Sequence, residues 1–157
     1  MDALTLLDIL LSGSILSLTV YFFFVQSPFL FGRLGRAKFV PIMMQMTQLF
    51  FNVQVVLGVA LVVLSYARVQ LGIHTVGAVL ALAATTVNRF VVVPRALAAG
   101  RASAKERAEN PDSHSATDFA VQGGSKTQTK TLHQTVVAVV FANVGFVAFH
   151  LLQFLLA

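Results

Sequence analysis

Apolar positions along this chain fall into four long runs, over residues 4–24, 39–66, 71–93 and 131–157, separated by short or polar connectors. About 20 helical residues cover a ~30 Å hydrocarbon core, so each run is long enough to span a membrane. The pattern predicts helices over about 4–26, 39–66, 71–93 and 131–157. The second and third are joined by so few residues that they must form an antiparallel hairpin. The expected fold class is all-α: one domain, an integral membrane antiparallel four-helix bundle, with a long polar loop over residues 96–130 between helices three and four.

Local signals refine these elements. Pro28 is expected to stop or kink the first helix, and Pro41 falls in the first turn of the second, where a missing N–H costs little. The third helix is expected to end at Pro94-Arg95. Residues 96–109 suit an amphipathic helix on the membrane surface, with Asn110-Pro111-Asp112 as its breaker and Gly123-Gly124-Ser125 as loop. Small residues at Gly77, Ala81 and Thr85, and again at Ala138, Ala142 and Gly145, predict seams of close helix approach. Ser12, Gly13, Ser14 and Ser17 give the first helix a weakly polar stripe of the same kind.

Composition agrees with the bilayer reading. Hydrophobic residues make up 57% and charged residues 11%, against about a quarter charged in soluble domains. The pI of about 10.3 therefore rests on few bases and does not point to nucleic acid. There is no cysteine, so disulfides, thiolate metal sites and cysteine nucleophiles are excluded. No short apolar segment precedes a small-residue cleavage site, so the first helix is expected to stay in the mature protein.

Charge placement predicts an orientation. Arg33, Arg36 and Lys38 lie between helices one and two. Arg95, Arg101, Lys105, Arg107, Lys126 and Lys130 lie between three and four, with Arg89 near the same end. The opposite side carries Arg68, with Asp2 and Asp8. The positive-inside rule then puts the basic loops, 27–38 and 95–130, on the cytoplasmic or mitochondrial matrix side and both termini on the other.

Two sets of polar residues fall within the apolar runs. Gln45, Gln48 and Asn52 share one face of helix two. With Asn88, His133 and Asn143 they are expected to form an interhelical polar layer, because a polar group facing lipid is costly. Interhelical hydrogen bonding is the simpler reading of this layer, and a permeation or ligand path is the functional one. Residues 71–88 supply roughly 27 Å of helix before Arg89, so Arg89 is expected to snorkel to the basic interface beside Arg33, Arg36, Lys38 and Arg95. At the other end lie Asp8, Arg68, His74 and His150. Hydrogen bonding or pairing with Asp8 is the expected role of the histidines, and a bis-histidine haem between His74 and His150 is a remote alternative. No metal site, cofactor or catalytic constellation is expected, and His114 stands alone in the polar loop.

Two stretches carry a family resemblance. One is Phe24-Val25-Gln26-Ser27-Pro28-Phe29-Leu30-Phe31-Gly32-Arg33-Leu34, followed by Phe39 and Gln45. The other is Thr86-Val87-Asn88, Pro94-Arg95 and Ala104-Lys105-Glu106-Arg107, with His133 opening the fourth helix. The chain resembles the transmembrane protein 205-like family, also called domain of unknown function 4149. The resemblance implies a four-helix membrane protein, loosely tied to trafficking and drug resistance, with no agreed activity.

The function expected from these readings is non-catalytic. The chain is read as an accessory or structural subunit of a larger membrane complex, with lipid and other membrane subunits as partners. A mitochondrial respiratory complex in the inner membrane is one expected host. A small transporter or trafficking-associated protein using the polar layer is the alternative, and a haem-binding electron-transfer subunit a remote one.

Overall fold

The computed structural model describes residues 2–69, 72–109 and 126–156, which are helical almost throughout. In chain order they form α1 (Ala3–Val20), a π-helical segment (Tyr21–Gln26), α2 (Ser27–Val69), α3 (Ile73–Val87), a second π-helical segment (Asn88–Val92), α4 (Val93–Glu109) and α5 (Lys126–Leu156). Four stretches are long and apolar enough to cross a membrane: Ala3–Gly35, Ile42–Arg68, Ile73–Ala99 and Gln134–Phe154, here called spans one to four. This is the build of a multi-pass helical membrane protein.

The prolines do not end helices as expected. Pro28 and Pro94 lie just beyond the two π-helical segments, and the helix continues through both. A proline ring clashes with the carbonyl four residues earlier, and that residue is Phe24 in one case and Phe90 in the other. Both lie in the widened π turns, which relieve the clash without breaking the rod. Span one therefore runs on to Gly35, whose φ of 66° lets the chain reverse where a side chain would be strained. Likewise the third span passes Pro94-Arg95, and its helix runs on to Glu109. Residues 96–109 and 126–130, expected as loop or surface helix, extend spans three and four. Asn110-Pro111-Asp112, His114 and Gly123-Gly124-Ser125 lie outside the described residues.

Cross-span contacts fix an antiparallel ring in which spans one and three, and two and four, are diagonal. Thr19 meets Gln54, Ser65 meets Thr75, Asn143 meets Thr85 and Asp8 meets His150. The core has two layers. Towards the termini, Ile15, Leu61, Ala78, Ala81 and Val147 pack together. Towards the basic connectors, Phe22, Phe50, Phe51, Val93 and Val140 do so, with Phe22 stacked on Phe50 at 4.4 Å. The seam at Gly77, Ala81 and Thr85 is buried, and a Cβ on Gly77 would meet His150 Cβ at 3.2 Å. The second expected seam is not one. Ala138, Ala142 and Gly145 are exposed, because α5 turns Val140, Asn143, Val147 and His150 inward instead. On span one only Ser12 of the serine stripe is buried, and Gly13 faces open space.

The two helical hairpins repeat one hydrogen-bond device. Thr19 donates to the Ile15 carbonyl, and Gln54 Nε2 donates to both Thr19 Oγ1 (3.0 Å) and Ile15 O (3.3 Å). Thr85 donates to the Ala81 carbonyl, and Asn143 Nδ2 donates to both Thr85 Oγ1 (2.7 Å) and Ala81 O (2.9 Å). The interval from Thr19 to Thr85 also carries Ile15 onto Ala81, Phe24 onto Phe90 and Pro28 onto Pro94. The interval from Gln54 to Asn143 carries buried Phe51, Gly58 and Leu61 onto buried Val140, Val147 and His150. The bundle is thus two matched hairpins, each held by an amide that clamps a threonine turn.

Candidate functional site

Where the two hairpins cease to match, charge appears. The positions equivalent by these intervals at the terminal end are Asp8 with His74, and Leu61 with His150. Asp8 and His150 are fully buried. His150 Nε2 lies 2.6 Å from Asp8 Oδ1, and Nδ1 lies 2.8 Å from the backbone carbonyl of His74. A carbonyl only accepts, so Nδ1 is the donor to His74 and Nε2 is the nitrogen that faces the carboxyl group. Ser12 Oγ reaches the same Asp8 oxygen at 3.5 Å. Arg68 completes the cluster, its Nε 3.4 Å from Asp8 Oδ2 and its guanidinium 4.4 Å from the Phe154 ring centroid. This last pair is an ionic contact without a hydrogen bond, for Asp8 Oδ2 and Arg68 Nε and Nη2 are buried without a hydrogen-bond partner.

Pairing with Asp8 is therefore what the structure gives His150. Both ring nitrogens of His150 are engaged, so in this arrangement it offers no free nitrogen to a haem iron, and its ring stands edge-on to His74 with centroids 6.3 Å apart. Among the described residues, no group of three His, Asp or Glu side chains is placed to hold a metal ion.

The polar layer divides in two. Asn88 and Asn143 point into the bundle, Asn88 donating to the Val136 carbonyl at 3.4 Å. Gln45, Gln48 and Asn52 do share a face, but it is the outer one: Gln45 and Asn52 are exposed and Gln48 half-buried. Phe51, Gln54, Gly58, Leu61 and Ser65 occupy the inward stripe of span two. Gln54 was hidden in a stretch that reads as aliphatic, and the signal that finds it is its register with those buried positions. His133 lies in α5, its side chain outside the described set.

Arg89 is half-buried and pairs across spans two and three. Its Nε donates to Asn52 Oδ1 at 2.5 Å, and its guanidinium stands 5.3 Å from the Phe90 ring centroid. Because span three continues to Ala99, this pair lies roughly 15 Å from the basic end of either span. Arg33, Lys38 and Arg95 are exposed at that end, Arg33 over the Phe29 ring, and the Arg36 side chain is outside the described set.

No curated protein and no solved structure matches the chain. A family model, described as a domain of unknown function (DUF4149), matches residues 10–105, which takes in most of span one, all of spans two and three, and both π-helical turns. The chain, with its four candidate membrane spans, belongs to the DUF4149 family.

Proposed function

We propose that this protein is a non-catalytic component of a membrane assembly, docked to its partner through the Asn52–Arg89 face. One observation carries the reading. A half-buried cation and an exposed amide, bonded to each other, lie on the outer side of the bundle about 15 Å of helix inside the basic end of their candidate spans. Charges in that position are costly and normally face protein or a water-filled path. The partner is another membrane subunit that presents a carboxylate or carbonyl to Arg89. A symmetric dimer through this face would bring like charges together, which disfavours a second copy as the occupant. The Thr–amide clamps and the buried aromatic layer supply a rigid scaffold and no reacting groups. A mitochondrial respiratory complex is one host of this kind, and the basic connectors would then face the matrix, or the cytoplasm in another membrane. The Asn88, Pro94-Arg95 pattern supports a transmembrane protein 205-like member of the family. Gentle solubilisation, a native gel and mass spectrometry of the co-migrating subunits test the proposal.

A transport role has one observation in its favour. Gln54 Oε1 and Asn88 Oδ1 are buried acceptors without a hydrogen-bond partner. A hydrogen-bond-donating solute moving through the bundle would find them, and replacing Gln54 or Asn88 would then abolish flux while the bundle stayed folded.

A further inference from the structure

Two cavities adjoin at the basic end of the bundle, and their chemistry differs. The larger, about 450 Å³, lies among all four spans and is lined by apolar side chains that include Phe23, Phe39, Met43, Val93 and Val136. Its volume is in the ~300–1,000 Å³ range of ligand sites. The smaller, about 210 Å³, lies between spans two and three and is lined by Gln45, Gln48 and Arg101 with Met44 and Leu97. Met44 and Leu97 line both cavities, so they form the partition between them.

The polar cavity is built for an anion. Gln45 and Gln48 make no hydrogen bond among the described residues, so their amide N–H groups are available, and Arg101 is an exposed guanidinium. Arg33, Lys38 and Arg95 are exposed at the same end, while Asp2 and Asp8, the acids whose side chains are described, lie at the opposite one. Depth fixes the setting. Gln45 stands just inside the Ile42 end of span two and Arg101 just beyond the Ala99 end of span three, both at the basic end of their candidate spans. The apolar cavity reaches inward from there to Phe23 and Val136.

From this juxtaposition we infer that the basic end of the bundle binds one anionic phospholipid of the adjacent leaflet. Its phosphate sits with Gln45, Gln48 and Arg101, and an acyl chain passes the flexible Met44 into the apolar cavity. Arginine suits phosphate because its planar fork offers two parallel donors, and methionine adapts to a chain threading past it. A free phosphate would use only the smaller cavity. This site lies on the same face of span two as Asn52, about one to two helical turns nearer the basic end, so a bound lipid would adjoin the proposed docking face.

Delipidated protein in mild detergent is titrated with phosphatidylglycerol or phosphatidylcholine of identical acyl chains and read by native mass spectrometry. The expected result is one retained phosphatidylglycerol per chain, with about tenfold weaker retention of phosphatidylcholine. Arg101→Gln, at an exposed position, should weaken phosphatidylglycerol about tenfold and phosphatidylcholine by less, because the choline cation already offsets its phosphate charge. Val136→Phe, which fills the apolar cavity, should weaken both lipids. Equal retention of the two lipids, an unchanged affinity in Arg101→Gln, or full competition by inorganic phosphate alone would overturn the inference.

Discussion

Asp8 and His150, separated by almost the whole chain, share a 2.6 Å contact in which both side chains are fully buried. It ties the first span to the last, closing the ring that the connectors leave open. Removing one partner of a buried pair strands the other, at a cost of about 3–5 kcal/mol. Asp8→Leu should therefore lower stability by about that much in reversible unfolding in detergent. Asp8→Asn keeps an acceptor for His150 and should cost clearly less. Equal losses for the two variants would mean that packing, and not pairing, holds spans one and four together.

The two amide clamps should be equivalent. Gln54→Leu and Asn143→Leu each remove one interhelical donor that serves a threonine and a carbonyl. Each substitution should cost about 0.6–2 kcal/mol, the range of interhelical hydrogen bonds in membranes. Chemical denaturation of the single variants and of the double variant checks this, and a large loss from one with none from the other would contradict the matched-hairpin account.

Glycines on opposite faces should respond oppositely. A Cβ on Gly77 would press on His150 Cβ at 3.2 Å and Phe149 Cδ1 at 3.3 Å, whereas one on Gly145 would meet nothing within 4 Å. Gly77→Ala should lower the melting temperature by forcing spans three and four apart. Gly145→Ala should leave it unchanged or raise it slightly, since alanine is the better helix former.

The first turn should loosen in acid. Asp2 caps α1 by accepting the Thr5 N–H at 2.6 Å, and this backbone hydrogen bond holds its carboxyl below the ordinary value of 3.8. A depressed carboxyl stabilises the helix start fully above its unfolded value, and that contribution is lost as pH falls below 3.8 through the folded value. Protection of the Thr5 amide, followed by NMR, should decline over that window. Asp2→Ala should lack the decline.

Four spans and one-sided charge were legible in the sequence because hydropathy and basic residues report the bilayer directly. Element ends were not. Pro28 and Pro94 read as breakers, since sequence alone does not reveal that a π turn absorbs each ring. That difference leaves the Arg89–Asn52 pair about 15 Å of helix inside the basic end of its candidate spans, which makes it the main functional pointer. The shared face of Gln45, Gln48 and Asn52 followed from helical spacing. Its direction did not, because spacing fixes which residues align and not which neighbour they meet. The Asp8–His150 pair was accessible by depth counting, as both fall near the terminal ends of their spans. Gln54 was not, for a single amide among valines and leucines reveals its role only when Thr19 is seen opposite.

The most direct test of the docking face is site-specific photocrosslinking in intact membranes. A crosslinking amino acid replaces exposed Leu49 or Val56, which flank Asn52 on span two, or exposed Val25 on span one as the control. The account predicts a discrete adduct with another membrane protein from positions 49 and 56, little from 25, and loss of that adduct when Arg89→Leu is added. Crosslinks to lipid alone at all three positions, or an adduct that survives Arg89→Leu, would contradict it.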